Sequence, residues 1–182
     1  MLPLKSRRSS PLNIRVDKLT NSIENATTHE SFRTLLRRLT VKEANTLRKE
    51  DWDFDWVREA RDKSREVYVL CTVDNPTIIH GIISIEDQGT HMYMHLVESA
   101  PFNKGKTKTY LGVLGNMAAF VCQRAFEKNY DGFVAFESKT KLIEHYKKTL
   151  EAEQMGSGIR MSIGTRAAIK LVKQYFPTYF SM

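Results

Sequence analysis

The sequence predicts an α+β (mixed α/β) domain on a central mixed sheet: an antiparallel meander, then a parallel strand–helix–strand crossover, with helices on both faces. Three observations predict it. Residues 66–97 hold three runs rich in β-branched or aromatic residues, divided by turn residues. Residues 112–175 alternate helical periodicity with short apolar strands. The chain has 182 residues, 41% apolar and 27% charged, which suits one domain with one good core.

A chain of this length buries roughly 70% of its unfolded surface and needs neither disulfides nor a metal to fold. No apolar run approaches the roughly 18 residues of a membrane span. The basic start MLPLKSRRSSPL is not followed by the apolar stretch of a signal peptide. A cytoplasmic location without a membrane partner is therefore expected. Cys71 and Cys122 each sit in an apolar segment and read as reduced core thiols, and neither belongs to a CxxC pair.

The balance of 28 Lys+Arg against 21 Asp+Glu gives a net charge of +7, which favours phosphate-bearing partners. No helix-turn-helix, zinc finger or aromatic RNA-binding signature accompanies it. Nucleic acid is thus the alternative partner, not the favoured one, and would use the N-terminal tail and Arg33, Arg37 and Arg38.

Taken in order, residues 1–12 read as a flexible basic tail, ahead of a single domain over residues 13–182. Asn13–Leu19 alternates like a strand. Residues 20–50 read as helical, with an apolar stripe of Phe32, Leu35, Leu36 and Leu39. Thr40 to Glu43 is a capping-box pattern that starts a further helix. Trp52-Asp-Phe-Asp-Trp56 supplies aromatics for the core. Glu66–Val73, Ile78–Glu86 and His91–Val97 are the meander strands. Ser99–Tyr110 is a loop carrying Lys104, Lys106 and Lys108. Gly112–Glu127 is a long apolar helix, Gly132–Glu137 a buried strand, and Lys139–Glu151 an amphipathic helix. Arg160–Ile163 and Thr165–Tyr175 are a last strand and a last helix. The second half reads strand, helix, strand, helix, its two strands parallel through a helical crossover.

A strand, a Gly-bearing lysine loop and a helix start make a recurrent phosphate site, because the first helical N–H groups lack intrahelical partners. Gly112 and Gly115 leave room there for a close backbone approach, beside Val113 and Asn116. The order of elements over Val67 to Tyr175 resembles the GNAT superfamily of acyl-CoA-dependent N-acyltransferases. The loop string Thr109-Tyr-Leu-Gly112-Val-Leu114 stands where that family has Gln/Arg-x-x-Gly-x-Gly/Ala. Gly112 matches the first glycine; Thr109 and Leu114 depart from the pattern, and Gly115 is displaced by one. Glu98-Ser-Ala-Pro-Phe-Asn103-Lys-Gly105 is similar to the strand end of some bacterial GNAT-like proteins.

The resemblance implies an acetyl-CoA (or other acyl-CoA) donor and a primary-amine acceptor, a small molecule or a protein. Lys104, Lys106, Lys108, Gly112, Val113, Gly115 and Asn116 would bind the pyrophosphate. Backbone N–H groups around Leu96 and Val97, on a bulged strand, would polarise the acyl carbonyl. Leu142-Ile-Glu-His-Tyr146 resembles the helix whose tyrosine protonates the departing thiolate, which makes Tyr146 the acid; its other reading is a core tyrosine. Glu98, at a strand end, is the first choice for the base and Glu86 the second. Strand alternation puts His91, Tyr93, His95 and Val97 on one face and Met92, Met94, Leu96 and Glu98 on the other. His91 and His95, about 13 Å apart by strand rise, are not read as metal ligands. A homodimer is compatible with the sequence, as is a catalytically inactive CoA-binding or regulatory module.

Overall fold

The structure, a computed structural model, describes residues 22–181. The basic tail expected over residues 1–12 and the strand expected at Asn13–Leu19 lie outside the described residues. The strands are β1 (Ser22–Asn25), β2 (Ser31–Arg38), β3 (Arg65–Thr72), β4 (Gly81–Asp87), β5 (Met92–Ser99), β6 (Tyr110–Leu111), β7 (Val134–Glu137), β8 (Glu153–Gln154) and β9 (Arg160–Ile163). They form one sheet in the order β6-β1-β2-β3-β4-β5-β7-β9-β8. The α-helices are α1 (Val41–Ala44), α2 (Trp56–Arg61), α3 (Val113–Glu127), α4 (Ile143–Leu150) and α5 (Thr165–Tyr175).

The meander is present: β3, β4 and β5 pair antiparallel in sequence order. A short turn at Asp87–Gly89 joins β4 to β5, with the Gly89 N–H donating to the Asp87 carboxylate, while residues 73–80 link β3 to β4. Among the described residues the single parallel pair is β5 with β7, joined through α3. β7 and β9 run antiparallel, so the two strands either side of α4 are not a parallel pair. The reason is β8, which pairs antiparallel with β9 and turns the chain back before β9 begins.

The helix expected over residues 20–50 is a correction. Over its described residues, from Ser22, the segment is a β1–β2 hairpin followed by the short α1. Asn25 closes the turn by accepting from the Thr27 and Thr28 N–H groups. On β2 the residues alternate: Phe32 and Leu36 pack on the main core, while Leu35 is exposed. The 32, 35, 36, 39 spacing fits a helix, and a short apolar run satisfies both periods until a neighbouring strand selects one. Arg37 and Arg38 then lie on a strand, paired with Glu43 and Glu66. The capping box does form: Thr40 accepts from the Glu43 N–H, and Glu43 accepts from the Thr40 N–H.

Two apolar layers sandwich the sheet. α3, α4 and α5 cover one face over Leu70, Ile83, Ile85, Met94 and Phe136. α1 and α2 cover part of the other, over Val67, Val69, Cys71 and Ile82. Trp56 opens α2, is buried in this smaller layer and sits edge-on to Phe54, as expected of the aromatic run.

Candidate functional site

The site begins with an irregularity in β5. Ser84 pairs with Leu96 and Ile85 with Met94, so His95 is an extra residue without a partner on β4. Such a bulge locally breaks the alternation of faces. Met94 and Val97 pack on the α3–α5 layer, whereas Leu96 and Glu98 join His95 on the α2 side. Strict alternation had put Val97 with His95 and had put Leu96 and Glu98 opposite; the extra residue corrects all three. At the same level the sheet opens. The β5–β7 register ends at Met94↔Phe136, and β5 continues to Ser99 on β4 alone.

On the α3–α5 side of this gap lies Tyr146. It is buried on α4 and sits edge-on to Phe136, centroids 5.3 Å apart. Burial holds its phenol above the ordinary value, so it stays a proton donor at neutral pH. Val97, Leu114 and Leu142 belong to the same apolar cluster yet remain only half covered. Burial first, and then the Lys108 charge, pushes the neighbouring His145 imidazole down, so the end of the lysine loop approaches α4.

The helix start has the expected geometry. Gly112 is the N-cap of α3 with φ +85°, a left-handed conformation that suits glycine, and no side chain caps the first turn. An anion could take those N–H groups. Val113 packs its side chain on Gly81, whose β4 position pairs with Ser99 at the end of β5. Only the Val113 backbone is therefore offered to a ligand.

Other expected contacts are committed elsewhere. Lys104 donates to Glu98 at 2.7 Å and to Asp53 at 3.0 Å. Lys106 is exposed on the loop. Gly115 faces Tyr175 of α5, and a methyl group there would overlap the tyrosine ring. Asn116 is fully buried and donates to Thr34 Oγ1 on β2 at 3.0 Å. Helix packing thus accounts for Gly115 and Asn116.

Glu98 is 5% exposed and accepts from four donors. They are the Asp53 N–H at 2.7 Å, the Phe54 N–H at 3.4 Å, Trp56 Nε1 at 3.0 Å and Lys104 Nζ at 2.7 Å. A carboxylate so engaged ties the Asp53–Trp56 segment to β5. Glu86, the second choice, lies at the end of β4, 3.9 Å from Arg65 Nε.

Sequence reasoning missed a third acid. Glu59 of α2 is buried, accepts from Arg65 at 2.7 Å and pairs with His95 Nδ1 at 3.0 Å. On the same face a groove of about 470 Å³ runs past Glu86, His91, Tyr93, Phe133, Met155 and Arg160. Nothing in the WVREAR segment distinguishes Glu59 from a surface acid; only its 36-residue separation from His95, closed by the fold, does so. Among the described residues no group of three His, Cys, Asp or Glu side chains could hold a metal ion. No helix among them is long and apolar enough to cross a membrane.

No family model matches the sequence, and no curated protein does. Solved structures do resemble it. The AtaTR complex bound with AcCoA aligns at 12% identity and TM-score 0.52, covering 76% of this chain and 97% of that one. The AtaT–AtaR complex bound to DNA aligns at 14% identity and TM-score 0.55, covering 75% and 98%. Mutant forms of the spermidine/spermine N-acetyltransferase SpeG from Vibrio cholerae align at 13% identity and TM-score 0.53, covering 75% and 96%. The chain shares the fold of these structures, a GNAT-type fold.

Proposed function

We propose that this GNAT-fold chain is an acyl-CoA-dependent N-acyltransferase that passes an acetyl or other acyl group to a primary amine by direct attack. One observation carries the reading: β5 and β7 part at a bulge, with a buried tyrosine beneath the gap and an uncapped helix start beside it. The α3 N-terminus, with Lys106 and Lys108, would hold the pyrophosphate. The thioester would lie in the gap, its carbonyl oxygen on β5 N–H groups near Leu96 and Val97, positioned before charge develops. Tyr146 would hand its proton to the departing thiolate, and the amine would come from the groove on the opposite face. The bound acetyl-CoA in the AtaTR structure supports acetyl-CoA as donor, and SpeG supports an amine acceptor.

Calorimetry with acetyl-CoA tests the donor site. CoA release over a panel of primary amines (alkylamines, polyamines, amino-acid amides and a lysine peptide) tests transfer. Tyr146→Phe should slow CoA release about 10²-fold or more while acetyl-CoA affinity stays nearly unchanged. Unaltered turnover would remove Tyr146 from the mechanism. A second reading, a GNAT-fold module without CoA, is favoured by the capture of Lys104 in an ion pair and by Asn116 turned into the core. Lack of acetyl-CoA binding would select it.

A further inference from the structure

We propose that His95 is the general base of the transfer, with Glu59 and Arg65 as its positioning residues. The inference rests on the acyltransfer reading above and names the proton acceptor that reading lacks. His95 is the extra residue of β5, adjacent to Met94, where the pairing with β7 ends. It faces α2, whereas Tyr146 packs on Phe136 from the α4 side. A base and an acid thus flank one gap from opposite faces, as an attack by nitrogen and a departure of sulfur require.

The ring is oriented. Glu59 Oε2 lies 3.0 Å from His95 Nδ1, and Arg65 Nη1 lies 2.7 Å from Glu59 Oε1. A carboxylate only accepts, so Nδ1 carries the proton and the Nε2 lone pair is left for substrate. The Glu59 side chain is 5% exposed and that of His95 30%, so the anchor is sealed while the imidazole stays reachable. Competing groups are occupied: Glu98 has four donors, and His91 Nδ1 meets Thr90 Oγ1 at 3.0 Å. The other charged or titratable groups around His95 are Asp62 after α2, Glu86 of β4 beyond Arg65, and Tyr93 of β5, itself near Glu137 and Arg160.

The protons balance. An alkylammonium gives one proton to Nε2 and becomes the amine, whose lone pair forms the C–N bond to the thioester carbonyl. As the tetrahedral adduct collapses, the C–S bond breaks and its electron pair leaves on sulfur. Tyr146 protonates the thiolate and is restored by the proton lost from the new amide nitrogen. His95 returns its proton to solvent.

The experiment has two independent readouts on the full chain. Nitrogen-15 NMR of the native protein should find His95 in the Nδ1–H form when neutral, and Glu59→Gln should disturb that tautomer preference. CoA release is then followed against pH, using the fastest acceptor of the amine panel or water where none is taken. His95→Asn should lose about 10²-fold or more in kcat/KM together with the acid limb of the profile, with acetyl-CoA binding retained. Glu59→Gln should alter the same limb. An Nε2–H tautomer in the native protein overturns the assignment. So does an unchanged profile in His95→Asn with acetyl-CoA still bound. Failure of the native protein to bind acetyl-CoA overturns the acyltransfer reading, and this role with it.

Discussion

Replacing Glu98 with Gln separates an anchoring carboxylate from a catalytic one. Gln keeps one carbonyl oxygen, enough for the Asp53 N–H or Trp56 Nε1, but its amide nitrogen turns a donor toward the other donors. Breaking a buried ion pair costs about 3–5 kcal/mol. Lys104, with its side chain 36% exposed, can return partly to water, which lowers the figure. We expect a loss of about 2–4 kcal/mol. For a domain of this size that is a fall in Tm of about 5–15 °C. Urea denaturation at 25 °C, followed by the fluorescence of Trp52 and Trp56, measures it. A change below about 1 kcal/mol, with turnover abolished, would refute the anchor and return Glu98 to the role of base.

Three further outcomes are expected. Gly115→Ala should destabilise by about 1–3 kcal/mol, read by thermal melting, because the Tyr175 ring occupies the methyl position. Burial depresses the His80 imidazole to about 4, so the unfolded chain binds more protons than the folded one between about pH 4 and 6.5. Stability should therefore fall as pH drops through that window, by at most ~1.4 kcal/mol per pH unit from this group, and His80→Asn should lack that component. Burial pushes the Cys122 thiol up to about 12 and also raises Cys71, so neither should react with a thiol reagent until the protein is denatured. Rapid labelling of the native protein would contradict this.

The parts of the fold that were legible are those in which local chemistry and global packing agree. β3, β4 and β5 alternate over apolar residues and end at Asp–Asn–Pro and Asp–Gln–Gly turns. β9 and α5 occur at the residues expected, Arg160–Ile163 and Thr165–Tyr175. β2 was misread because Phe32, Leu36 and Leu39 satisfy a helical period, and only pairing with β1 and β3 makes the segment extended. The candidate site was less legible. Tyr146 and Gly112 announce themselves by their surroundings in the chain. Three of the four partners of Glu98 lie more than 40 residues upstream of it, and the extra residue at His95 has no local mark at all. Gly115 and Asn116 were read as ligand contacts because small and polar residues serve helix packing as well as binding.

The extra residue in β5 also works as a phase shifter. Upstream of it the strand keeps one parity and downstream the other, which lets His95, Leu96 and Glu98 emerge on a common flank. Straightening the bulge with every residue kept would leave every later side chain chemically intact yet inverted. It would drive the Glu98 carboxylate into the apolar layer beneath α3 and swing Val97 out toward the Trp56 side. The backbone irregularity, as much as residue identity, therefore decides which face these side chains take.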